Sequence, residues 1–139
     1  DYRDFDWVKE HLLVEMEQKR NFKLCIHHRD FPAGQILEEI IVDRIDKSRK
    51  AIFLLTPNFI QSNWFHFELD MARHQLFHFG RDVIIPVILK PLGSQVNKNV
   101  FRIINSSKLH LTWEANDTAR DLFWMKLSDA ITEDSRLDI

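Results

Sequence analysis

Trp64 and Glu68 are four residues apart, so a helix carries both on one face, an aromatic ring beside a carboxylate. A carboxylate so placed could serve a site or simply the helix that carries it. The plainer role is structural: Trp64 packs, and Glu68 caps or solvates the first turns of a helix, where negative charge complements the dipole. His74 and His78 repeat the four-residue spacing, which is compatible with a metal. The glutamate and third ligand of a zinc site are not apparent, so a solvated face and no metal are expected. Upstream, Arg29 and Asp30 can pair with each other and shape a loop, or offer their charges to a partner. Phe31 beside them is an anchor, for the core or for an interface. Pro32 and Gly34 are turn residues whose rigidity lowers the ordering cost of binding. His27 and His28 could make such binding pH-sensitive, but neighbours at a strand end point in opposite directions. Phe123 and Trp124 read as core packing.

The elements that must position these residues follow from periodicity. Trp7, Val8, Leu12, Leu13 and Met16 form the stripe of a first helix, residues 4–19, and Phe22 to Ile26 reads as a buried strand. A second helix, 35–48, carries Ile36, Leu37, Ile40, Ile41 and Ile45 at helical spacing. The segment Arg29-Asp30-Phe31-Pro32-Ala33-Gly34-Gln35 joins that strand to that helix. Ala51 to Leu55 is a continuous apolar run stopped by Thr56-Pro57, as expected of a strand covered on both faces. A helix follows from Ser62, a plausible N-cap, to Phe79, with Gly80 as its stop. Residues 83–89 form another strand, in which Pro86 suggests an edge position or a bulge. Short pieces lead through Lys108-Leu109-His110-Leu111 to a last helix, 115–132, and a frayed tail. Residues 1–132 are read as one domain and 133–139 as its tail.

Strands alternating with helices imply right-handed parallel crossovers. The expected fold is an α/β flavodoxin-like three-layer sandwich, with a parallel sheet of about five strands in the order 2-1-3-4-5 and helices on both faces. The central first strand is missing from the sequence, which opens on a helix. It is expected either just before Asp1 or from another copy of the molecule.

Composition narrows the function. A chain of 139 residues, 45% hydrophobic and 29% charged, is the size of one domain with one core. The 19 basic and 21 acidic residues leave a formal net charge of −2, which argues against nucleic acid and anionic lipid. Cys25 is the lone cysteine, so no internal disulfide forms; a reduced, buried thiol in a reducing compartment is expected. Two matches to the glycosylation pattern, at Asn105 and Asn116, are read as unmodified. With no signal peptide and no apolar run near the roughly 18 residues that span a bilayer, the segment is expected to be soluble. Thr56-Pro57 stands where a phosphoacceptor regulator needs an aspartate. The chain has neither closely spaced glycines for a phosphate loop nor a Gly-x-Ser-x-Gly elbow.

Four ordered stretches carry a family resemblance: Leu24 through Gly34, Lys47 through Phe59, Ser62-Asn63-Trp64 through Glu68-Leu69, and Phe123-Trp124. From about Asp4 to about Ile131 the chain resembles a Toll/interleukin-1 receptor (TIR) domain, most of all the cytoplasmic domain of a Toll-like receptor. The family's first motif, a strand ending in a Ser-Tyr-like sequence, is absent. Many Toll-like receptors resemble Arg-Asp-x-x-Pro-Gly in the loop, whereas here Ala33 precedes Gly34 and the proline is Pro32. In the family that position is tied to adaptor choice.

The resemblance implies an intracellular signalling module in innate immunity. It would lie on the cytoplasmic side of a membrane as the C-terminal domain of a single-pass receptor, meeting lipid only through a preceding membrane span. Its implied partners are TIR-domain adaptors and further copies of itself, as a homodimer or higher assembly, bound through Arg29, Asp30, Phe31, Pro32, Ala33, Gly34 and Gln35. The helix from Ser62 to Phe79 offers a second surface, and Trp64, Glu68, Phe123 and Trp124 belong to a second motif region. No cofactor, metal or nucleic acid is implied. Two alternatives stay open: an NAD-cleaving hydrolase with Glu68 as catalytic carboxylate, which would hold the ribose, and a soluble TIR adaptor.

Overall fold

In the computed structural model, which describes residues 4–93, 98, 100, 103 and 110–134, the apolar runs after residue 50 form one parallel sheet. Its strands are β1 (Ala51–Leu55), β2 (Ile84–Ile88) and β3 (Leu111–Thr112), in the order β1-β2-β3. Ala51 pairs with Ile84 and Leu55 with Ile88, and β3 joins at Val87 and Ile88. Successive side chains feed two cores, because a strand's side chains alternate between faces. Phe53 and Leu55 enter a first cluster with Ile41, Ile45, Phe65 and Leu69, while Ile52, Leu54, Ile85 and Val87 meet a second around Leu12, Met16 and Leu127. The continuous apolar sequence of β1 and β2 is thus a consequence of helices on both faces.

The first helix, α1, begins with Phe5–Trp7 and continues as a π-wound segment, Val8–Lys19, burying Val8, Leu12 and Met16. Asn21 then turns the chain at a φ of 60°, a conformation asparagine tolerates. A short helix α2 (His27–Asp30) precedes α3 (Leu37–Lys47), which buries Ile40, Ile41 and Ile45. After β1, Thr56 caps α4 (Pro57–Ile60), its Oγ1 accepting from the Phe59 N–H. Helix α5 (Asn63–Phe79) starts at its N-cap Ser62 and ends at Gly80, where a φ of 64° lets the last carbonyls be capped. Helix α6 (Asp117–Thr132) is capped by Asn116, which accepts from the Ala119 N–H at 2.9 Å. Helices α3 and α5 cover one face of the sheet; α1 and α6 cover the other.

Four expectations change. Phe22 to Ile26 is not hydrogen-bonded into the sheet, although Phe22, Leu24 and Ile26 pack on the second core. Among the described residues no strand lies beside it, and bonds at Phe22, Leu24 and Ile26 run instead to Met16, Arg29 and Asp30. For the same reason Cys25 is exposed instead of buried. Pro86 lies in the central strand, not at an edge. The Leu89 N–H donates to Leu55, and the Trp113 N–H donates to the Ile88 carbonyl. Alternation therefore aims the Pro86 nitrogen at the β3 side, one residue before pairing with β3 begins at Val87. His27 and His28 open a helical turn and do not end a strand. Most of the connection ahead of Leu111, and residues 135–139, lie outside the described residues.

Candidate functional site

The loop that opens at Arg29 is held by a clamp from the first helix. The Arg29 guanidinium donates to both carboxylate oxygens of Glu17, at 2.5 and 2.9 Å, and to the Leu24 carbonyl at 2.9 Å. It also donates to Asp30 at 3.0 Å. Asp30 in turn accepts from the Ile26 N–H at 2.7 Å, while its own N–H donates to the Ile26 carbonyl at 2.7 Å. These bonds keep Glu17 and Asp30 charged: hydrogen bonding from Arg29 holds both carboxyls below their ordinary range and raises the guanidinium further. Arg29 and Asp30 are therefore occupied in shaping the loop. Glu17 was not legible as part of the site, because a partner twelve residues upstream leaves no local signal.

Beyond the clamp, Phe31 turns inward against the first core, and Pro32, Ala33, Gly34 and Gln35 stand exposed. Gly34 has a φ of 83°, as at the third position of a type II turn, where a side chain is strained even with open space around it. Ile36, 58% exposed, follows as the N-cap residue of α3. The loop thus presents a rigid turn ending in an apolar side chain.

The remaining candidates separate. Trp64 lies on the surface, 38% exposed, its ring edge-on to Phe67 at 6.0 Å. Glu68 is half-buried and borders a cavity of about 600 Å³ that Phe31 and Arg44 also line and Trp64 does not. Burial pushes its carboxyl up to about 7. Phe123 and Trp124 are buried on the opposite face of the sheet, within an aromatic cluster that includes Trp7 and Trp113. Trp124 stacks on Trp7 at 6.1 Å and Phe123 meets Trp124 edge-on at 4.9 Å, so both serve the core. The His74 and His78 rings lie 4.1 Å apart, and among the described residues no group of three potential ligands surrounds a metal position. The structure therefore brings the loop and Glu68 to a common cavity wall through Phe31, and leaves Trp64, Phe123 and Trp124 apart from it.

A family model described as the TIR domain matches residues 2–136. Among proteins of similar sequence, Toll-like receptor 6 of Mus musculus is 40% identical over 129 residues, covering 89% of this chain and 16% of that protein. Toll-like receptor 1 of Homo sapiens is 38% identical over 131 residues, 92% of this chain and 16% of that protein. Toll-like receptor 2 of Bos indicus is 38% identical over 133 residues, 93% and 17%. The chain thus spans about a sixth of the length of these relatives. The crystal structure of the TIR domain of the Toll-related receptor TRR-2 from Hydra magnipapillata superposes with a TM-score of 0.75 at 24% identity. That match covers 96% of this chain and 94% of the other, a likeness of fold.

Proposed function

Because this chain belongs to the TIR-domain family, we propose that it is the cytoplasmic signalling domain of a Toll-like receptor in innate immunity, which associates with other TIR domains and recruits TIR-domain adaptors. The observation that carries this reading is the braced loop: the Glu17 clamp fixes Arg29 and Asp30, and the turn Pro32 to Gln35 projects into solvent. A preordered loop loses little entropy on docking, so a weak interface becomes usable once receptor dimerisation raises the local concentration. Partner contact is assigned to Pro32, Ala33, Gly34 and Gln35, with Arg29, Asp30 and Phe31 holding them in place. The test is Ala33→Asp, which alters an exposed turn residue. Adaptor capture by the variant should fall at least tenfold, about 1.4 kcal/mol, with thermal unfolding unchanged. A folded variant that captures adaptors normally would sink the assignment.

The placement of Glu68 on a cavity wall favours one second reading, NAD cleavage. Such a role needs a carboxylate facing a sugar as positive charge develops. Nicotinamide release from NAD at high protein concentration, abolished in Glu68→Gln, would carry the chain into the enzyme class. Release that survives the substitution, or no release at all, would dismiss Glu68 as the catalytic group.

A further inference from the structure

The outer face of α5 carries metal-binding residue types that neither the loop nor the core uses. His66, Asp70, His74 and His78 follow one another at four-residue steps, and all four are exposed, as is Phe77 beside them at 79%. Phe65, Leu69 and Ala72 are buried in the first core from the other side of the helix, so this stripe faces outward. The His74 and His78 rings, one helical turn apart, have centroids separated by 4.1 Å. A tetrahedral zinc with Zn–N bonds of about 2.0–2.1 Å holds two ligand nitrogens roughly 3.4 Å apart, a separation these rings can reach. Each four-residue step also advances about 40° around a helix of 3.6 residues per turn. Among the described residues no third ligand therefore joins the pair, and half of a tetrahedral shell stays open.

From this arrangement we infer that the stripe is a shared zinc site, in which His74 and His78 of one copy of the chain and Asp70 of a second copy hold each ion. The ligands missing from one chain follow from symmetry. His66 and Asp70 stand as far before position 72 as His78 and His74 stand after it. A twofold axis level with Ala72 therefore sets two antiparallel copies of α5 with His74 against Asp70 of the second copy, and His78 against its His66. The same axis makes a second, equivalent site, as an isologous contact requires. Imidazole nitrogens and a carboxylate oxygen are ordinary zinc ligands, and the fourth position is open to His66 of the second copy or to water. Phe77 lies on the same face, so the contact covers an aromatic ring that the single chain leaves in water. The ion fixes the register of this contact, which lies on α5 and does not depend on docking at the turn Pro32 to Gln35.

Sedimentation equilibrium of the 139-residue chain in zinc chloride and in EDTA tests the site. Zinc should tighten self-association at least about tenfold, with one ion bound per chain, and EDTA should reverse the change. His74→Ala, His78→Ala and Asp70→Asn, all at exposed positions, should each abolish the zinc effect while leaving the thermal midpoint unchanged. Cys25→Ser, which removes the exposed thiol, and Ala33→Asp, which alters the loop, should both keep it. Mixing tests the sharing of ligands. A chain with both histidines replaced still offers Asp70, and the Asp70→Asn chain still offers both histidines. An equal mixture of the two should therefore regain one site per dimer and associate in zinc where neither does alone. A zinc effect that is absent, that survives loss of the histidines or that disappears in Cys25→Ser overturns the inference. Zinc bound without a change in mass, or a mixture that stays monomeric, overturns the assignment of Asp70 of a second copy.

Discussion

At the scale of single residues, the same types do different work according to what surrounds them. Arg29 and Asp30 carry the charge expected of a recognition site, yet the structure engages both in holding the loop. Their exposure leaves each ion pair little direct weight in stability, so their effect is on geometry. Glu68 is the opposite case, a carboxyl that ought to be charged but is raised to about 7 by burial from an ordinary 4.5. The sign of its pH dependence follows. Between these two values the folded chain holds a proton that the unfolded chain has released, so this group's contribution to stability is full below pH 4.5 and is lost as pH rises through about 7. The loss is on the order of 1–3 kcal/mol. Urea unfolding at pH 5 and pH 7 should show the wild type losing stability over this interval, while Glu68→Gln, with no proton to lose, stays flatter. Equal pH dependence in the two would place the titrating group elsewhere.

At the scale of elements, what was legible was whatever depends on local pattern. The runs at 51–55 and 83–89 announce buried strands, Ser62 and Gly80 bound α5 as a cap and a left-handed stop, and the stripe at Val8, Leu12 and Met16 marks the first helix. The π winding of that helix leaves no separate trace, because the same apolar spacing serves either helix. Phe22 to Ile26 was misread for an instructive reason. Its strand-like alternation is present in the packing, but strand identity requires a neighbour, and hydrogen-bond partners are not written in a strand's own residues. Pro86 failed in the same way: the rule that proline avoids central strands concerns the missing N–H, and here that position points to where β3 has not yet begun. Within the site, the turn around Gly34 could be read from residue types alone. The Glu17 clamp and the cavity wall at Glu68 could not, since each depends on elements brought together from distant parts of the chain.

At the scale of the whole molecule, the sheet divides labour between its two faces and its loop edge. One face carries the aliphatic and phenylalanine core beneath α3 and α5; the other is closed by Trp7, Trp113, Phe123 and Trp124 beneath α1 and α6. On the proposed reading recognition would fall to the rim, where backbone geometry is set by clamps and turns. Two tryptophans test this division. Trp124 is 5% exposed and touches three aromatic neighbours, so Trp124→Ala should remove about 3–5 kcal/mol, a large part of the 5–15 kcal/mol that holds a domain of ordinary stability together. Trp64, exposed on α5 against one ring, should lose less than about 1 kcal/mol on the same change. Urea denaturation of the two variants reads both numbers. Equal losses would mean that the aromatic cluster is not a core, and that the loop edge rests on one hydrophobic face instead of two.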